Sequence, residues 1–275
     1  MMKPVGTSGG NRLRALREFC GRTQLEVELD ASLGIGYLQR VESGKVRHPE
    51  RDTLERILAA LGTQYTERRE TLELFGYIVD TPLPDAAEIR RAVAECQTDL
   101  DSAVFPAYLL DCAHRLLTWN AFVPRLFTRR VFAPQAAPPS MLWMLFDPAY
   151  GITARIANPS TFFPAQIRAL RYEMRQFGGE PWHEALIDDL LKQCPLFVQH
   201  WTEALATHRT ETIAARPLVP IELELPNVGT LRFRLTSEPF AGDRRFRLIY
   251  YIPADAVTIQ QVIRWLDPPV HTNPR

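Results

Sequence analysis

The chain has 275 residues, 46% apolar and 23% charged, with 32 Lys and Arg against 32 Asp and Glu. That length suits two domains of about 100–200 residues each, with a sizeable core. The zero net charge excludes a polycation that would coat nucleic acid over its whole surface, and no 18-residue apolar run offers a membrane-spanning helix. Four cysteines, Cys20, Cys96, Cys112 and Cys194, form no C-x-x-C pair and have no His at metal-ligand spacing. They read as scattered thiols in a reducing compartment. With no apolar signal-peptide core at the N-terminus, a cytoplasmic location is expected. Neither a metal nor a cofactor is expected.

Residues 1–10 (MMKPVGTSGG) are rich in Gly and Ser and are expected to be disordered. Leu13, Leu16 and Phe19 then step by three along a first helix. Thr23 followed by Glu26 is a capping box, and Leu25 and Leu29 at i, i+4 are expected to face inward from a second helix. Ser32-Leu33-Gly34 reads as a turn. Gly34 to about Ser43 reads as a third helix with Leu38 and Val41 inward and Gly44 closing it. Leu54, Ile57, Leu58 and Leu61 mark a fourth. The helical pattern continues over 67–77, and TPLPD at 81–85 breaks it. Ile89, Val93 and Cys96 stripe a further helix from Pro84 or Asp85. Residues 67–98 are expected to connect the two domains.

Beyond this point the period changes. AYLLDCAHRLLTWN (107–120) reads as two short strands around Asp111–His114, and AFVPRLF (121–127) and SMLWMLFDP (140–148) as helices. Phe163, Ile167, Leu170, Met174 and Phe177 step by 4, 3, 4, 3, an amphipathic helix that Gly178-Gly179 ends. Two more helices follow, from Glu184 to Cys194 and from Pro195 to Ala206. IELELP (221–226), TLRFRLTS (230–237) and RRFRLIYYIP (244–253) alternate with period two and are strands. Val257–Leu266 is a closing helix. The 22 prolines, concentrated in the second half, suit a domain with many loops.

Short helices around a Gly-containing turn at the front make a helix-turn-helix, whose second helix belongs in the major groove of DNA. Residues 1–66 carry 10 Lys and Arg against 8 Asp and Glu, a net +2 that adds only weak support. Gln24, at the start of the second helix, is placed for a phosphate or a nearby base. Tyr37, Gln39 and Arg40 lie on the third helix, where Arg40 can grip a guanine bidentately and Gln39 can reach a base or phosphate. Ile35 offers only apolar contact, for instance to a thymine methyl, and Gly36 offers close backbone approach. Lys45, Arg47 and His48 can clamp the next phosphates. Glu42 is expected to pair internally. Thr-Gln at 23–24, Tyr-Leu-x-Arg-Val-Glu-x-Gly at 37–44 and Arg-His-Pro at 47–49 together resemble the XRE/Cro family of repressor-type domains over residues 11–66.

The larger remainder carries no G-x-S-x-G, P-loop, G-x-G-x-x-G or H-E-x-x-H, so no enzyme is expected. His200 and His208 lack ligand partners and are expected at the surface or as caps, and Asp188-Asp189 on a solvated helix face. Two strands, several helices and three antiparallel strands suggest one curved sheet over a helical layer. The whole is then an all-α helix-turn-helix domain (11–66) and an α+β PAS-like domain with an antiparallel sheet (99–255), followed by a C-terminal helix and tail (256–275). GYLQRVESGKVRHPE, PAYLLDCAHRLLTWNAFVPRLF, SMLWMLFDP, CPLFVQHW and VGTLRFRLTS resemble the MmyB-like regulators, in which an XRE-type domain precedes a PAS-like ligand-binding domain.

That resemblance implies a transcription factor that senses a small apolar ligand, a fatty acid or other acyl compound. Large apolar groups fall on the inferred inner faces: Trp119, Phe122, Leu126, Met141, Leu142, Leu145 and Phe146 in the first half of the domain. Leu170, Met174, Phe197, Trp201, Phe233 and Tyr250 follow in the second half. They either line an apolar pocket or pack one another as core. Arg168, Arg171 and Arg175 form a stripe that is either solvated or, through Arg171, neutralises a ligand carboxylate. The expected partners are double-stranded DNA, the ligand and a second copy of the chain. Ligand would bias the dimer or the connector and so the spacing of half-sites. A ligand-free dimerisation or partner-docking module is the competing expectation for the second domain.

Overall fold

The computed structural model describes residues 7–126, 138–206 and 218–266. The chain forms two compact units, Met1–Asp80 with Ala241–Arg244, and Thr81–Phe240 with Arg245–Arg275.

The first unit is helical: α1 (Ser8–Phe19), α2 (Gln24–Asp30), α3 (Tyr37–Glu42), α4 (Arg51–Ala60) and α5 (Tyr65–Leu74). The Thr7 hydroxyl accepts from the Gly10 N–H at 3.1 Å, so α1 starts inside the stretch expected to be disordered. Gly9 and Gly10 are buried because neighbours press against them. A Cβ at Gly10 would lie 2.5 Å from the Val41 carbonyl oxygen, and one at Gly9 2.6 Å from the Phe75 ring. These glycines serve close packing, not flexibility; residues 1–6 lie outside the described residues.

The core joins Leu13, Leu16, Val27, Ala31, Leu38 and Val41 to Leu54, Ile57, Leu58, Leu61, Leu72 and Phe75. Two expectations fail here, for Leu29 is 64% exposed and Leu25 49%. Phe19, which continues the spacing of the first helix, is 88% exposed. Six residues turn a helix about 120° away from Leu13, which takes Phe19 off the buried stripe. In the seven-residue α2 the inward i, i+4 pair is Val27 and Ala31, which puts Leu25 and Leu29 on the other face.

In the second unit a five-stranded antiparallel sheet has the order β2-β1-β5-β4-β3. The strands are β1 (Ala107–Asp111), β2 (Leu116–Trp119), β3 (Ile221–Leu225), β4 (Gly229–Pro239) and β5 (Phe246–Pro253). The expected α+β arrangement, two strands, then helices, then three strands in one sheet, is the one observed. Helices α6 (Ala86–Ser102), α7 (Val123–Leu126), α8 (Met141–Phe146), α9 (Pro159–Met174), α10 (Pro181–Gln193), α11 (Pro195–Ala206) and α12 (Ala256–Leu266) complete it. Alternation along the strands sends Tyr108, Leu110, Ile249, Tyr251, Leu231 and Phe233 into a large core with α8, α9 and α11. Ala107, Leu109, Phe246 and Leu248 face the other way, onto Ala92, Cys96 and Leu100 of α6. Strand β1 is buried at every position because both of its faces are covered.

The stretch 67–98 therefore divides. Its first part is α5 of the helical unit, and its last part, α6, is a layer of the sheet domain. Asp85 caps α6 with a full capping box, so the helix start expected at Pro84 or Asp85 is met. Phe127, His208 and the tail 267–275 lie outside the described residues. Among the described residues no helix is long and apolar enough to cross a membrane.

Candidate functional site

At the front, two buried carboxylates fix the angle between α2 and α3. Glu28 of α2 accepts from the Gly36 N–H at 3.0 Å and the Leu38 N–H at 2.8 Å. It thus caps α3, whose own N-cap residue, Gly36, has no side chain to do so. Gly36 takes a left-handed φ of 79°, a conformation that suits glycine. Helix α3 consequently begins at Tyr37, three residues later than Gly34, and Ile35, 83% exposed, stands on the turn before it. Glu42, at the other end of α3, is fully buried. It accepts from Arg17 Nε at 2.7 Å, Arg14 Nε at 3.4 Å and Gln24 Nε2 at 2.7 Å. The internal pairing expected of Glu42 is met.

Gln24, expected on phosphate or base, thus holds Glu42. Gln39, Arg40, Lys45, Arg47 and His48 are exposed, and the Arg40 guanidinium lies 5.5 Å over the half-buried Tyr37 ring. Charge is sorted sharply in this unit. Arg12, Arg14, Arg17, Arg22, Arg51, Arg56, Arg68, Arg69 and Arg244 each contact a carboxylate. The other described cations, Arg40, Lys45 and Arg47, have no carboxylate partner among the described residues. They fall on α3 and the loop after it.

In the sheet domain a cavity of about 60 Å³ lies between the inner face of β1, β4 and β5 and helices α8 and α9. It is smaller than the roughly 150 Å³ that holds a benzene. Its apolar wall includes Leu110, Met141, Leu142, Leu145, Leu235 and Ile249, and its polar wall includes His114, Gln166, Glu173, Thr236 and Arg247. Arg247 Nη1 forms an ion pair with Glu173 Oε1, and Arg247 Nη2 lies 3.0 Å from both ring nitrogens of His114. Burial pushes the Arg247 pKa down to about 10, which still leaves it charged at neutral pH. Burial, followed by the adjacent guanidinium, holds His114 well below the usual histidine range, so it is neutral there. Gln166 Oε1 is buried with no donor among the described residues, an arrangement that costs about 1–3 kcal/mol when unrelieved.

A family model described as "MmyB-like transcription regulator ligand binding domain" matches residues 93–264, and one described as "Helix-turn-helix domain" matches residues 10–71. The first covers more than half of the chain. The chain belongs to the MmyB-like transcription regulators. No curated protein matches it.

In this MmyB-like regulator the fourteen residues expected around a ligand sort into groups. Met141, Leu142 and Leu145 line the cavity. Leu126, Phe146, Leu170, Met174, Phe197 and Phe233 are buried in the surrounding core. Phe146 lies 5.3 Å from Phe163 and 5.2 Å from Phe197, and Phe233 lies 5.6 Å from Tyr251. Trp119 and Trp201 pack partly buried against that core. Phe122 is half-buried under Arg125, and Tyr250 sits on the opposite sheet face with α6. Arg171 is already engaged: its Nη1 donates to the Ala204 carbonyl at 2.9 Å, and its guanidinium stacks 5.6 Å over Trp201. Arg168 and Arg175 are exposed. His200 is buried against Phe163 and bonded to Glu203, not at the surface as expected. Asp188 pairs with Lys192 on an exposed face.

The sequence reading missed Arg247, Glu173, His114 and Gln166. A signal existed for two of them. Arg247 shares the inward parity of Ile249 and Tyr251 in an alternating strand. Glu173 adjoins Met174, at the edge of the apolar stripe of α9. No metal-holding group of His, Cys, Asp or Glu occurs among the described residues.

Proposed function

We propose that α3 and the loop after it read operator DNA, and that the sheet-domain cavity binds a small amphipathic molecule whose occupancy alters that binding. The observation that carries the reading is the sorting of charge. Nine cations of the helical unit are neutralised, and Arg40, Lys45 and Arg47 are left for phosphates and bases. Arg40 is the guanine reader, helped by Gln39 and Tyr37, with Ile35 and Gly36 against the groove and Lys45, Arg47 and His48 on phosphates. So short a reading helix carries little sequence information alone, and a homodimer on two half-sites supplies the rest. Such a regulator works in the cytoplasm, and no catalytic role is assigned to it.

For the ligand, an acyl-type tail runs along Met141, Leu142 and Leu145 and a polar head meets Arg247 and its neighbours. An acyl compound is one such molecule. A cavity of about 60 Å³ favours a short chain. The close aromatic packing of Phe146, Phe163 and Phe197 favours a second reading, a solid dimerisation or docking module.

Mass spectrometry of the purified protein, native and after solvent extraction, separates the two. A stoichiometric small molecule is expected, and adding it to a complex with DNA selected from a random pool should change the affinity. A bare protein mass, with DNA binding indifferent to acyl probes, would leave the docking module.

A further inference from the structure

The cavity has one cation and one anion on its described wall, and they already face each other. Arg247 is paired with Glu173, and His114 beside them is neutral. The wall therefore carries no net charge to offer an incoming ion. A carboxylate would share Arg247 with Glu173 and bring a second negative charge beside the first, at low dielectric. An ammonium would meet Arg247 in the same way.

The hydrogen-bonding demand points in one direction. Gln166 Oε1 is buried with no donor among the described residues. Gln166 and Glu173 stand two turns apart on the cavity side of α9, and the Glu173 carboxylate accepts only. Both want an N–H or O–H, and a carboxylate ligand has neither. Arg247, opposite them, is a donor that an incoming oxygen can share with Glu173.

We propose, resting on the reading of this cavity as the ligand site, that the ligand enters with an uncharged head that both donates and accepts hydrogen bonds. A primary amide or an alcohol on a short alkyl chain fits, and free carboxylates are disfavoured. The amide N–H groups donate to Gln166 and Glu173, its oxygen accepts from Arg247, and its chain lies against Met141, Leu142 and Leu145.

The test is calorimetric titration of the full chain at pH 7 with propanamide, propanoate and propylammonium, which share a short tail suited to a cavity of about 60 Å³ and differ in charge. Propanamide is expected to bind at least about tenfold tighter than either ion, a difference of about 1.4 kcal/mol. Propanoate or propylammonium binding as tightly as propanamide would overturn the proposal and leave the cavity as a ligand site. No binding by any of the three would overturn the cavity reading itself. Glu173→Gln leaves Arg247 without its counter-charge, so propanoate should gain and the order reverse. An unchanged preference for propanamide in the folded variant would also overturn the proposal.

Discussion

Two buried glutamates, one in each unit, do opposite work. Glu42 is sealed in, and Arg14, Arg17 and Gln24 together supply hydrogen bonds to both of its oxygens. Glu173 is also mostly buried, but it sits on a cavity wall, and nearby Gln166 has an acceptor without a donor. A buried charge whose neighbours satisfy it completely is scaffold, because any further ligand would have to break a bond already made. A buried charge in a partly filled network beside open space is where a ligand adds something. The same contrast holds at the surface of the helical unit. Paired arginines brace the helices, and Arg40, Lys45 and Arg47 stay exposed without a carboxylate partner among the described residues.

The comparison can be broken first at Glu42. Glu42→Ala removes the acceptor of four N–H donors on Arg14, Arg17 and Gln24 and should destabilise the chain by about 3–5 kcal/mol, toward the lower end because Arg14 can turn to solvent. Urea unfolding followed by circular dichroism reads this, and a loss under about 1 kcal/mol would remove Glu42 from the scaffold. A smaller and more specific effect is expected on the free face. Arg40→Ala should cost about 1–3 kcal/mol of discrimination at one base pair, whereas Lys45→Ala should weaken all sequences alike and lower the salt slope by about one. Anisotropy titrations at several salt concentrations distinguish these, and wild-type behaviour in both variants would remove α3 as the reading helix. The smallest effect is expected at Leu29, which the apolar spacing assigned to the core and which is 64% exposed. Leu29→Ser should change stability by no more than about 0.5 kcal/mol. A large loss in thermal unfolding would show that this face is covered in solution.

Much of the fold was legible in the residues. Thr23 with Glu26, the run from Phe163 to Met174 and the alternation in 244–253 each gave an element of the right kind within a few positions. These signals are local: a cap and a period involve neighbours along the chain. The errors came where a local cue had a distant cause. Gly9 and Gly10 looked like a flexible leader because glycine lacks a side chain, yet Val41 and Phe75 occupy the space that a side chain would need. Leu25 and Leu29 looked internal by spacing, but in a helix of two turns more than one pair has that spacing, and the packing chose Val27 and Ala31.

By itself, then, the sequence determined a helix-turn-helix followed by a domain of mixed strands and helices. It also determined that Leu38 and Val41 of the third helix turn inward, which leaves Gln39 and Arg40 outward, because capping, turn chemistry and periodicity act over a few residues. Only the tertiary structure decided the interior of the second domain. A large aromatic looks the same in the sequence whether it fills a core or borders a cavity, and Met141, Leu142 and Leu145 were separated from Phe146 and Phe197 only by packing. A charge can be held inside only by a partner. Those partners, Glu173 of α9 and His114 of the β1–β2 turn for Arg247 of β5, lie far apart in the chain and meet only when the sheet closes against its helices.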